Sequence, residues 1–346
     1  MTASSANPAR FSKIFVLCPG GLVTGGAELL HQLVDRLRGF GQAAYISYLP
    51  SGKSFALPEA YRHYDAPQSR IEDEAGNLVV FPEVSTRYVK RIRHADCAIW
   101  WLSVDYYFRY PQNHRFANPI TQIRANRFYD PLRYLRGRLR NRSLDSMRTL
   151  CHFAQSHYAH EFLRQRGIES MMLSDYLGAE HLRETGADSD RHDKHDIIVF
   201  NPKKGADITA RLIRALPGHR FVPIQNLDAH GVAQLLRSAK VYIDFGHHPG
   251  KDRPPREAAM AGCCVIVGGA GASAAGLDYL VPPGCRLDPH APGFVDAFRA
   301  LVDRIYANYP AMTREFDPWR AAIRREQAEF DAQVAAIFAI SDGSAP

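Results

Sequence analysis

An alternation constrains this chain more than any other feature. Short apolar runs end in turns, and helical spacing follows. Residues 13–18 (KIFVLC) form such a run and lead into Pro19, Gly20 and Gly21, which marks a strand entering a turn. Gly25 and Gly26 then open a stretch in which Leu29, Leu30, Leu33, Val34 and Leu37 recur at helical spacing, and Gly39 and Gly41 stop it. Residues 43–49 (AAYISYL) and 97–102 (CAIWWL) read as further strands. The second half repeats the style. Strand-like runs at 197–200, 220–224, 241–245 and 264–267 are separated by helical patterns at 207–216, 229–239 and 256–261. Strands interleaved with helices imply crossover connections, and therefore a parallel sheet.

The chain has 346 residues, which suits two domains and is ample for a sizeable core. Apolar residues make up 46% and charged residues 23%, which excludes a disordered, collagenous or disulfide-scaffold chain. The 6 cysteines are scattered, with no CxxC pair and no Cys/His cluster at zinc spacing, so free thiols in a reducing compartment are expected. Residues 1–13 lack the apolar stretch of a signal peptide, which points to a cytoplasmic protein. Residues 258–277 carry no charge over a length that can span a bilayer. They are mostly alanine and glycine, and only Val265, Ile266 and Val267 are strongly apolar, so they read as a buried strand and a Gly-rich loop. The polar run 185–196 marks a boundary, and 318–340 looks like one helix. The expected domains are 1–184, 185–318 and a final helical segment, 319–346: two Rossmann-like halves facing a cleft.

The net charge of +7 is concentrated. The segment 124–148 carries Arg124, Arg127, Arg133, Arg136, Arg138, Arg140, Arg142 and Arg148 against only Asp130 and Asp145. Such a patch attracts an anionic membrane surface, phosphate or nucleic acid, or it is simply a solvated face. Tyr129, Leu132, Tyr134, Leu135 and Leu139 would anchor it in a lipid surface. No nucleic-acid recognition motif accompanies it, so no nucleic-acid partner is expected.

The richest segment is 244–268 (DFGHHPGKDRPPREAAMAGCCVIVG). A strand ends, a polar loop follows, and a helix opens near Arg256 and Glu257. Ligands in open α/β sheets bind beyond the carboxyl ends of strands, where this loop lies. Gly250, Lys251, Asp252, Arg253, Arg256 and Glu257 are candidates there: cations for a diphosphate, and a carboxylate for ribose hydroxyls. The bland alternative is a solvated charge cluster. A second site is 200–205 (FNPKKG), where Lys203 and Lys204 precede a helix. A third is 19–28 (PGGLVTGGAE), whose glycines permit close approach of a ligand but match neither the P-loop nor the dinucleotide spacing. Asp105 follows a strand in an aromatic loop and is the candidate general base of an inverting reaction, or a surface turn cap. His31 reads as packing. The D-x-D at Asp188 and Asp190 sits in the polar linker, and His247-His248 lack partners at ligand spacing, so no metal is expected.

Taken in this order, the pieces resemble the GT-B glycosyltransferases that use nucleotide sugars, especially the family-4 type. The matching residues are Gly20-Gly21 and Gly25-Gly26-Ala27-Glu28, then Lys204-Gly205, then Glu257-Ala258-Ala259-Met260-Ala261-Gly262 before the strand at Cys264. Between the halves, Gln155-Ser156 through Gly167 is also similar. The resemblance implies a final helix that crosses back to the first domain. It implies that Glu257 holds the donor ribose and that Lys204 steadies the diphosphate, assisted by Lys203 or an arginine of the 251–256 loop. It implies that fixed cations replace a metal. Gly25, Gly26 and Asp105 would lie on the acceptor side. One departure matters: eight residues before Glu257 stands Pro249, where the family has a glutamate facing the sugar. His248, Asp252 or the backbone near Gly250 would take over that role. The expected activity is transfer of a sugar, with retention, from a nucleotide sugar to a glycan or lipid-linked acceptor in bacterial surface polysaccharide synthesis, at the inner face of the membrane. A sugar-nucleotide epimerase and a non-catalytic binding module remain alternatives.

Overall fold

The computed structural model describes residues 11–51, 53, 55–109, 143–182, 194–274 and 276–339. The basic residues from Arg124 to Arg142 and the D-x-D at Asp188 and Asp190 lie outside them. The chain divides into two compact units. One holds the chain up to Ser174 and from Phe330 onward; the other is Asp175–Glu329. The division therefore falls ahead of the polar run and inside the last helix.

The first unit is a parallel sheet of β1 (Ile14–Pro19), β2 (Ala44–Leu49), β3 (Leu78–Pro82), β4 (Asp96–Trp101), β5 (Cys151–Ala154) and β6 (Met171–Met172), in the order β2-β1-β3-β4-β5-β6. Its central strands are buried on both faces, which is why they read as unbroken apolar runs. Neighbouring tryptophans on β4 point to opposite faces. Trp100 stacks on Phe330 at 6.4 Å and donates to the Leu173 carbonyl at 2.8 Å. Trp101 donates to His152 at 3.0 Å and packs on Tyr107. The long helix Asp317–Phe338 ends in this unit: Phe338 meets Phe153, and Asp331 takes both ends of the Arg36 fork at 2.7 and 2.8 Å.

The second unit is a parallel sheet of β7 (His195–Phe200), β8 (Arg220–Pro223), β9 (Ala239–Asp244) and β10 (Cys264–Val267), ordered β10-β9-β7-β8. The chain steps from β7 to β8 on one side, then returns to β9 on the other. The C-terminal ends of β7 and β9 therefore flank the switch point of the sheet. At the opposite edge the buried Lys194 ammonium donates to the carbonyls of Leu236, Ala239 and Ala261 at 3.1, 2.9 and 2.6 Å. It closes the ends of the helices Ala229–Ser238 and Arg253–Met260. The uncharged run from Ala258 is the end of a helix, β10 and a loop. No helix among the described residues is long and apolar enough to cross a membrane.

Candidate donor site at the β7/β9 switch point

Two loops meet at this switch point, and two glycines let them touch. Gly205 sits at φ +55°, and a Cβ there would lie 2.7 Å from the Phe245 carbonyl carbon. A Cβ on Gly246 would lie 2.8 Å from Cβ of Lys204. Asn201 shapes the first loop by accepting from Lys203 N–H on its side chain and from Lys204 N–H on its carbonyl. The helix Ala206–Ala215 follows, and Gly205 at its N-cap offers no side chain to its first N–H groups. Lys203 is exposed beside it.

The Lys204 ammonium is paired with Asp252 and stands 3.9 Å from the buried carboxylate of Asp244. Asp252 also accepts from Nδ1 of His248 at 3.1 Å, and its backbone N–H donates to the Tyr279 hydroxyl at 2.8 Å. That hydroxyl lies 3.3 Å from the Gly250 carbonyl. His248 is fully buried, with Nε2 3.8 Å from Asp244. Burial pushes the Asp252 carboxyl up, but the His248 hydrogen bond and the Lys204 charge outweigh it and hold the group below its ordinary value. Sequence reasoning had named Lys204, Asp252 and His248 separately. Asp244 and Tyr279 had no signal, because their part depends on the loop closing over them.

The remaining candidates are placed differently. The helix opens at Arg253, not near Arg256 and Glu257, because Pro254 and Pro255 suit its first turn. Glu257 is consequently one turn in, half-buried, with Oε1 3.3 Å from Arg253 Nε. Arg256 is turned away from solvent altogether. Its guanidinium is fully buried between Asp175 and Glu326, and it also donates to the carbonyls of Lys251 and Asp252. Burial works against its charge and the two carboxylates overcome that, so its ionised form is held firmly. Lys251 joins the same cluster, 2.9 Å from Glu326. In this structure both cations, expected to face a donor, are paired with carboxylates of their own chain.

In the first unit Gly25 and Gly26 open the helix Gly25–Gly39, capped by the Thr24 side chain on Ala27 N–H. Gly26 lies beside Leu102, in the loop that follows β4. Asp105 is in the first turn of Val104–Arg109, half-buried; burial, and after it the Asp105 charge, pushes the Tyr158 hydroxyl above its ordinary value. These residues therefore gather at the C-terminal edge of the first sheet. Glu83, which no sequence signal singled out, lies there too. It is buried, accepts from Leu102 N–H at 3.0 Å, and burial pushes its carboxyl up to about 8. His31 is a packing residue, bonded to the Ala27 carbonyl and Tyr48 and stacked on Tyr61. Among the described residues no three His, Cys, Asp or Glu side chains are grouped to hold a metal ion.

No protein-family model matches the sequence, and no curated protein matches it either. Solved structures do match. Sucrose-phosphate synthase from Thermosynechococcus elongatus aligns with a TM-score of 0.65 at 12% identity, over 95% of this chain and 98% of that one. The Anabaena protein HepE, solved with UDP-glucose, gives 0.58 at 11% identity, over 94% and 99%. WaaG, a glycosyltransferase involved in lipopolysaccharide biosynthesis, gives 0.57 at 11% identity, over 94% and 99%. Two parallel sheets matched along nearly the whole of each chain make this the α/β fold of those proteins, GT-B.

Proposed function

We propose that this protein is a glycosyltransferase that moves a sugar from a nucleotide donor to a glycan or lipid-linked acceptor. One observation carries the reading: Lys204 stands where the β7 and β9 loops cross, at the switch point of the sheet, beside backbone left bare by Gly205 and Gly246. The donor diphosphate lies against Lys204, with Lys203 and the uncapped first turn of Ala206–Ala215 beside it. When the bond from the anomeric carbon to the diphosphate breaks, the leaving oxygens gain charge. A lysine fixed there stabilises them without a resident metal. Glu257 and Arg253 take the donor's ribose side, and Asp252 and the Gly250 backbone take the sugar side. Gly25, Gly26 and Asp105 serve the acceptor, and the outcome is retention.

The likeness to HepE, solved with UDP-glucose, and to WaaG supports a nucleotide-sugar donor and a surface-polysaccharide setting. Calorimetric titration with UDP, GDP, ADP and CMP, first without metal and then with magnesium, tests the reading. One nucleotide binds metal-free at micromolar concentration, and Lys204→Ala abolishes binding. Donor turnover disappears in Lys204→Ala and Glu257→Ala while both stay folded. Failure of every nucleotide to bind overturns the donor site. Binding without turnover would mark a nucleotide-binding module, and conversion of the donor sugar with no acceptor an epimerase.

A further inference from the structure

Asp252 occupies the N-cap of the helix Arg253–Met260, yet its carboxylate caps nothing. An N-cap aspartate ordinarily accepts from the second or third N–H of its helix. Here those positions are Pro254 and Pro255, which have no N–H to give. The carboxylate is turned to Lys204 and to His248 instead, while Tyr279 holds the backbone behind it. Three separate stretches of chain thus fix one anion onto the cation of the site. Carboxylate and phosphate oxygens compete for the same ammonium donors.

We propose that Asp252 is an intramolecular competitor of the donor diphosphate: it holds Lys204 until the diphosphate displaces it, and His248 then keeps it in place. The proposal rests on the reading of Lys204 as the diphosphate ligand. Displacement does not strand the carboxylate, because the bond to His248 Nδ1 survives the loss of Lys204. The other groups facing the pair are Asp244, 3.9 Å from the Lys204 ammonium and 3.8 Å from His248 Nε2, and the Tyr279 hydroxyl, 3.2 Å from His248 Nδ1. His248 Nε2 makes no hydrogen bond, so the imidazole stands between two carboxylates with capacity to spare. A tethered carboxylate competes at high effective concentration. Any phosphate ligand that takes Lys204 must first displace it, so Asp252 weakens the apparent affinity of every such ligand by the same factor.

Asp252→Asn keeps the shape and removes the charge, and Asp252→Ser is a second variant should the amide disturb the loop. UDP, GDP, ADP, the corresponding monophosphates and inorganic pyrophosphate are titrated into wild type, both variants and Lys204→Ala. The expected result is about tenfold tighter binding of pyrophosphate and of the preferred diphosphate in Asp252→Asn, the size of one charge-assisted contact. A monophosphate that reaches Lys204 gains the same factor. Unchanged or weaker binding in both Asp252 variants, with wild-type binding still abolished by Lys204→Ala, overturns the proposal and leaves the donor site standing. If neither wild type nor Asp252→Asn binds any probe, the donor site falls and the proposal with it.

Discussion

Arg256→Met should unfold the second unit more easily than any surface change. The side chain has 0% exposure and spends its guanidinium on Asp175, Glu326 and two loop carbonyls. Methionine fills much of the volume but leaves two buried carboxylates facing each other. Removing one partner of a buried ion pair costs roughly 3–5 kcal/mol. Lys251, 2.9 Å from Glu326, still answers one of them, which favours the lower end, about 3 kcal/mol. For a unit the size of Asp175–Glu329 each kcal/mol lowers Tm by roughly 2–4 °C, so a drop of about 6–12 °C is expected by calorimetry. Adding Asp175→Asn removes one stranded charge and should return part of the loss. A drop of less than about 2 °C for Arg256→Met would mean that water already reaches the cluster, and the reasoning would fail.

Glu83 gives a pH signature. Its carboxyl is raised by burial to about 8 from an ordinary value of 4.5, so its protonated form is favoured by folding. That contribution is complete below 4.5 and is lost as pH rises through 8. Stability from urea unfolding should therefore fall across this window in wild type and fall less in Glu83→Gln; equal slopes would refute the assignment. Gly205→Ala forces a Cβ to 2.7 Å from Phe245 at a positive φ. It should cost about 1–3 kcal/mol and weaken nucleotide binding by calorimetry, whereas unchanged binding would show that the loops need not touch. Lys194→Met removes a donor from three carbonyls, of which Leu236 and Ala239 keep the Cys263 thiol, and denaturant unfolding should register a loss of about 2 kcal/mol.

The strands that carry the fold were legible where they are long and apolar. All of those expected, from the run at 13–18 to the one at 264–267, are present within a residue or two. β5 and β6 escaped because they are short and carry His152 or two methionines in place of a β-branched run. β3 also escaped, although residues 78–82 are apolar throughout, and Glu83, the residue that follows the strand, was missed with it. The candidate site was legible in its lysines and its aspartate, which sit where parallel sheets keep ligands. The roles of Lys251 and Arg256 were not. Sequence offers only a charge cluster, while the partners that claim Arg256 stand 81 and 70 residues away, at Asp175 and Glu326. The helix starts earlier than its apolar spacing suggests, because Pro254 and Pro255 suit a first turn.

The last helix has a consequence for synthesis. Phe330 and Phe338 cover Trp100 and Phe153, so the first unit cannot finish its core from its own early residues. At a ribosome adding roughly 5–20 residues per second, the gap between Ser174 and Phe330 lasts about 8–30 s. For that interval one face of β4 and β5 waits uncovered on the growing chain. A truncation that ends before Phe330 makes the wait permanent, and the nascent first half should then depend on chaperones far more than the full-length chain does.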